Sequence, residues 1–179
     1  MFDYGSMFDL TGKTALVVGA GSGIGEASAH GLAAFGAEVY AADVNAEAAE
    51  MTAERIRSGG GKGVAVGLDM LDSASVGAVA ERLGAPYVLV STPSINVRKP
   101  VLEITDEEFD RIVDVNLKGT FRLIREFGRG MAERGSGASS PSLASAPRPS
   151  SRARASTPRP RPGPSRCYGR WPRSLVLGA

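Results

Sequence analysis

The stretch Lys13-Thr-Ala-Leu-Val-Val-Gly-Ala-Gly-Ser-Gly-Ile-Gly25 decides how the rest of the chain is to be understood. Its first part, Lys13 to Ala20, is a short apolar run that meets glycines at once, the pattern of a buried strand entering a turn. From Gly23 to Phe35 small and apolar residues recur at helical spacing until Gly36 ends the pattern. A strand, a glycine turn and a helix in that order bring the helix amino end, with its free N–H groups and positive partial charge, to the top of the strand. Glycines are needed where the backbone turns tightly and passes close to a pyrophosphate. Gly19, Gly23 and Gly25 fill those roles, Ser22 supplies a hydroxyl, and Ile24 belongs to the same predicted contact set. An acid, Asp43, lies 18 residues past Gly25 at the end of a second apolar run. A carboxylate there accepts hydrogen bonds from the adenosine ribose hydroxyls and repels a 2′-phosphate. With no Arg or Lys in the turn or beside Asp43, the predicted cofactor is NAD rather than NADP.

Outward from this motif the same alternation continues. Residues 37–43 are a second strand, and 45–58 a helix that Asn45 caps and Gly59 to Gly61 stop. Residues 63–69 form a third strand, 73–83 a helix, and 87–91 a fourth strand that enters the loop 92–100. Residues 105–134 are one long helical pattern, opened by Thr105 with Glu108 at the capping-box position. Short apolar strands alternating with longer helices predict an α/β fold, a Rossmann-like doubly wound parallel sheet.

The charge balance divides the chain. Residues 1–137 hold 13 Lys and Arg against all 19 Asp and Glu; residues 138–179 hold eight Arg, no acid and eight of the 11 Pro. The net +2 is therefore the sum of an acidic and a basic segment. The expected division is a partial NAD-binding domain over 8–137 and a disordered Pro-, Arg- and Ser-rich tail over 138–179. A single Cys, Cys167, excludes an intrachain disulfide, and one His, His30, leaves too few ligands for a His- and Cys-based zinc site. No run has the length of a membrane span and the amino end lacks signal-peptide character, so a cytoplasmic protein is expected.

The arrangement G-x-x-x-G-x-G from Gly19 to Gly25 resembles that of the classical short-chain dehydrogenases/reductases, with Val18 where the family usually has Thr. The likeness runs through residues 8–137, about the first half of a typical member. It implies that Asp69 contacts the adenine amino group. It also implies that Asn116, in the DVNLKGTF motif of residues 114–121, is the catalytic Asn that helps hold a water in the proton relay. The implied reaction is hydride transfer between nicotinamide and a small-molecule alcohol or ketone. Where the family commonly has N-N-A-G, this chain has Ser91-Thr92-Pro93-Ser94. Pro93 removes a donor and fixes φ, so that loop is expected to run differently.

The family's proton donor is a Tyr followed four residues later by a Lys, with a Ser about 13 residues earlier. None of Tyr4, Tyr40, Tyr87 and Tyr168 has a Lys four residues on, and the last Lys is Lys118. The likeness stops where Arg, Pro, Ser and Ala take over, the residues a GC-rich gene yields when translated out of frame. If each hidden codon joins the last base of one codon to the first two of the next, Tyr is permitted in the tail only across Ser156 and Thr157. The following pairs permit Ala, Ala, Ser or Thr, then Lys across Pro160 and Arg161. A Ser is allowed across Leu143 and Ala144, 13 places before the Tyr slot. Residues 138–179 are therefore expected to be a frameshift product of an intact dehydrogenase gene, and the chain as written to be inactive. The alternative is a non-catalytic dinucleotide-binding remnant. An Arg-rich tail attracts nucleic acid electrostatically, but no recognition motif accompanies it, so a nucleic-acid partner is not expected. Homo-oligomerisation, which in the family uses later helices and the final strand, is doubtful for this chain.

Overall fold

The computed structural model describes residues 8–141. Five strands alternate with helices: β1 Thr14–Val18, α1 Gly23–Ala34, β2 Glu38–Asp43, α2 Ala46–Ser58, β3 Lys62–Gly67, α3 Ser73–Leu83, β4 Val88–Ser91, α4 Asp106–Val113, α5 Thr120–Arg134 and β5 Ala138–Pro141. All neighbours pair in parallel, in the order β3-β2-β1-β4-β5. The chain thus winds outward from β1 to β3, then crosses back to lay β4 on the other side of β1. That reversal opens a crevice beyond the carboxyl ends of β1 and β4.

Side chains on a strand alternate between faces, and β1 shows the consequence. Leu16 and Val18 face one core with Val76 and Val79 of α3 and Leu123 and Phe127 of α5. Ala15 and Val17 face a second core with Ala29 of α1 and Ala53 and Ile56 of α2. Both faces of the sheet are covered, so its central strands are apolar throughout rather than alternating. Phe127 is the largest fully buried side chain; burying a side chain of that kind contributes about 1.5–3 kcal/mol.

Three helices open on side-chain caps. Asn45 Oδ1 accepts from the amides of Glu47 and Ala48, and Asp72 Oδ1 from that of Ala74. Thr105 and Glu108 form the reciprocal capping box.

The long helical pattern of 105–134 is not one regular helix. Between α4 and α5, residues Asp114–Gly119 form a π-helical stretch. The wider turns shift the register of everything after it, and such stretches recur at functional sites. Gly119 lies at its end because a Cβ there would meet the side chain of Met70 at 2.6 Å.

The sheet continues past residue 137, where the partial domain is expected to end. Ala138–Pro141 continues the sheet as β5, in register with Val88–Ser91, and Ala138 N–H donates to the Tyr87 carbonyl at 2.9 Å. The side chains of residues 138–140 are exposed and carry no apolar period. Backbone pairing to the open edge of β4 makes this strand, and side-chain patterning does not report it. Pro141 stands at its end, on an edge that tolerates a missing donor. The remainder of the expected tail, 142–179, including Cys167, lies outside the described residues.

Candidate functional site

The glycine turn leaves β1 at Val18 and is fixed from several sides. The N–H groups of Gly19 and Ala20 both donate to the Ala42 carbonyl, at 2.8 and 3.0 Å. The Gly21 N–H donates to Asp43 Oδ2 at 2.9 Å, and the buried Thr52 hydroxyl of α2 donates to the Ala20 carbonyl at 2.9 Å. Gly19 has φ +81° and Gly23 φ +57°, left-handed backbone that favours glycine. Gly25 is required for a different reason: a Cβ there would overlap the Gly19 carbonyl. The turn and the first coil of α1 are in direct contact only because Gly25 has no side chain.

Helix α1 differs from α2, α3 and α4 at its start. Ser22 occupies the N-cap position but makes no side-chain cap hydrogen bond. The first N–H groups of α1 therefore carry no side-chain acceptor, and the residues that bear them line the crevice, an arrangement suited to an anion.

The crevice is a cleft of about 590 Å³. Its lining includes every residue predicted to contact the cofactor: Gly19, Ser22, Gly23, Ile24, Gly25, Asp43 and Asp69. Both oxygens of Asp43 are fixed by backbone, Oδ2 by Gly21 N–H and Oδ1 by Asn45 N–H at 2.9 Å. Asp69 is held by its own local turn, its Oδ1 accepting from Leu71 N–H at 2.8 Å. The two carboxylates are thus oriented by the protein itself. An uncapped helix end, a turn without side chains and an oriented acid at the tip of the second strand fit a nucleoside pyrophosphate.

Asn116 is not among the residues lining this cleft. Its amide spans the π-helical stretch and the loop after β4: Nδ2 donates to the Ile95 carbonyl and Oδ1 accepts from the Ile95 N–H, both at 2.9 Å. The side chain is therefore committed to backbone.

The Ser91 to Ser94 loop contributes more than its departure from N-N-A-G suggested. The Thr92 hydroxyl donates to the Val18 carbonyl at 3.0 Å, tying the end of β4 to the end of β1. The Pro93 ring lies over Gly19, where a Cβ would meet its Cδ at 3.0 Å. Ser91 is buried and its hydroxyl has no hydrogen-bond partner among the described residues. Sequence spacing also missed Arg111 and Val115, which line the cleft from the far side. No local signal marks them, because a helix from later in the chain brings them there.

A parallel sheet with this crossover and a glycine turn at its switch point defines a dinucleotide-binding Rossmann-like fold. Residues 13–139 match the family model for short chain dehydrogenase. The chain belongs to the short-chain dehydrogenase/reductase family, whose members use NAD or NADP. It is 39% identical over 137 residues to D-threitol dehydrogenase of Mycolicibacterium smegmatis, covering 73% of this chain and 52% of that protein. It is 37% identical over 140 residues to sorbitol dehydrogenase of Cereibacter sphaeroides, covering 76% and 54%. A solved structure from Beutenbergia cavernae, assigned as an NAD(P)-dependent gluconate 5-dehydrogenase and holding NADP at low occupancy, superposes with a TM-score of 0.69. It is 38% identical and covers 74% of this chain and 54% of its own. The chain spans about half the length of these relatives.

Proposed function

We propose that residues 8–137 are the cofactor-binding half of an NAD-dependent short-chain oxidoreductase acting on a small-molecule alcohol or ketone, within the polyol and sugar-acid class. The observation that carries this reading is the cleft itself, where the uncapped start of α1 and the fixed carboxylate of Asp43 face one space. NAD, when bound, supplies or accepts the hydride. The N–H groups at the start of α1 hold the pyrophosphate, with the Ser22 hydroxyl beside them. Gly19, Gly23 and Gly25 allow its close approach, and Ile24 flanks it. Asp43 accepts from the adenosine ribose hydroxyls, and its charge disfavours a 2′-phosphate, so NAD is bound in preference to NADP. Asp69 receives the adenine amino group. Asn116 acts through Ile95 and the π-helical stretch, holding the loop after β4 against the helix. The polyol class is proposed from the threitol, sorbitol and gluconate dehydrogenases among the relatives.

The chain as written lacks a Tyr followed four residues later by a Lys. Binding without turnover is therefore the proposed state of this chain, with residues 138–179 the frameshifted remainder of an intact gene. A cytoplasmic location is part of the same proposal, and among the described residues no helix is long and apolar enough to cross a membrane. The test is titration of the purified chain with NADH and NADPH by fluorescence, alongside NADH formation from D-threitol and sorbitol. Saturable NADH binding and no turnover are expected, with activity appearing once the alternative frame is restored. Turnover by the chain as written rejects the inactive reading, failure to bind either nucleotide rejects the cofactor reading, and a gene sequence without the alternative frame rejects the frameshift.

A further inference from the structure

We infer that Arg111 binds the adenine base of the dinucleotide, its guanidinium lying against the plane of the ring. The inference rests on the proposed cofactor reading and adds a residue to it. Arg111 and Val115 stand four residues apart on one helical face, and both line the cleft. Met70 and Leu71, next to Asp69, line the same cleft.

Among the described residues that line the cleft, Arg111 is the one cationic side chain. It enters no ion pair among the described residues, although acids surround it on its own helix. Glu108 is paired with Lys99 and Asp114 with Lys118. Within the cleft, Asp43 has both oxygens on backbone N–H groups and Asp69 has one. An exposed, unpaired guanidinium at an apolar wall is a flat, weakly hydrated cation suited to an aromatic face. A purine fits that wall, with its polar edge toward Asp69 and its face toward Arg111. A hydrated sugar has no aromatic face to offer it.

The experiment compares wild type with Arg111→Met, titrating each with ADP-ribose, which carries adenosine, and with nicotinamide mononucleotide, which does not. Arg111→Met is expected to weaken ADP-ribose by roughly three- to thirty-fold. It should leave nicotinamide mononucleotide binding and the urea unfolding midpoint unchanged. Arg111→Lys keeps the charge without the plane and is expected to recover only part of the loss. Equal ADP-ribose affinity in wild type and Arg111→Met overturns the inference, as does an equal loss for both ligands. Full recovery with Lys overturns the planar contact. If wild type fails to bind ADP-ribose at all, the cofactor reading fails and the inference falls with it.

Discussion

The side-chain amide of Asn116 and the backbone of Ile95 are joined by two hydrogen bonds of 2.9 Å, one in each direction. The pair fixes the loop after β4 to the one irregular stretch of the long helix. Asn116→Leu leaves both Ile95 groups without their partner and is expected to cost about 1–3 kcal/mol in urea unfolding. Asn116→Asp keeps an acceptor for the N–H but sets a carboxylate against the Ile95 carbonyl, so it too is expected to destabilise. An unchanged midpoint in both variants removes the pair as a structural element.

Gly25 and Gly77 offer a matched test of what glycine does here. In Gly25→Ala the new methyl overlaps the Gly19 carbonyl, so loss of nucleotide binding and a lower melting temperature are expected. Gly77 sits inside α3 with open space where a Cβ would project. Gly77→Ala is expected to stabilise by about 0.5–1 kcal/mol, because it limits the unfolded chain without meeting anything in the fold. Equal thermal shifts of the same sign disprove the distinction.

Thr52 links α2 to the glycine turn through a buried hydroxyl that donates to Ala20 and, at 3.2 Å, lies within reach of the Ala48 carbonyl. Thr52→Val preserves shape but strands the Ala20 carbonyl, at a cost of about 1–3 kcal/mol. Thr52→Ser restores the donor and is expected to regain most of that stability. Denaturant titration of both variants measures this, and a Ser variant no better than Val excludes the hydroxyl as the cause.

Asp43 fixes two backbone N–H groups and, in the proposed function, sets the choice of cofactor. Asp43→Asn removes the negative charge that opposes a 2′-phosphate. The ratio of NAD to NADP affinity is expected to fall by on the order of ten-fold, as electrostatic differences of about 1.4 kcal/mol produce. Parallel calorimetric titrations provide the ratio, and an unchanged value excludes Asp43 as the discriminating group.

The exposed carboxylates predict an acid limb of stability. The side-chain hydrogen bond from Lys99, then the backbone N–H of Thr105, hold Glu108 below the usual carboxylate range; Arg57 does the same for Glu54. A carboxyl whose folded value lies below its unfolded one favours the fold above the unfolded value. That contribution is lost as pH falls through the folded value. The melting temperature is therefore expected to drop as pH descends through and below the carboxylate range, less steeply in Glu108→Gln and less at high salt. Lys118 acts at the other end: Asp114 raises its pKa, so its contribution is present at neutral pH and is lost as pH rises through the raised value. Identical profiles for Glu108→Gln and wild type show that this carboxylate contributes nothing.

Local chemistry made much of this protein legible in its sequence. The strand and glycine turn from Lys13 to Gly25, the Asn45 cap and the Thr105 and Glu108 capping box depend on neighbours within a few residues. Periodicity and spacing express such neighbours directly. Asp43 was legible too, because a strand and the turn before it set its distance from Gly25. Other features depend on where distant segments meet. β5 exists because β4 has a free edge, and its Ala and Ser side chains carry no trace of that pairing. The π-helical stretch holds Asn116, which meets Ile95, 21 residues away. Arg111 reaches the cleft only because the chain crosses back over the sheet after β3 and returns through the helix beyond β4. The sequence by itself determined the strand–turn–helix unit and the place of Asp43 at the end of the second strand. The tertiary structure alone decided what closes the cleft opposite them, since that wall is made by sheet topology rather than by any run of adjacent residues.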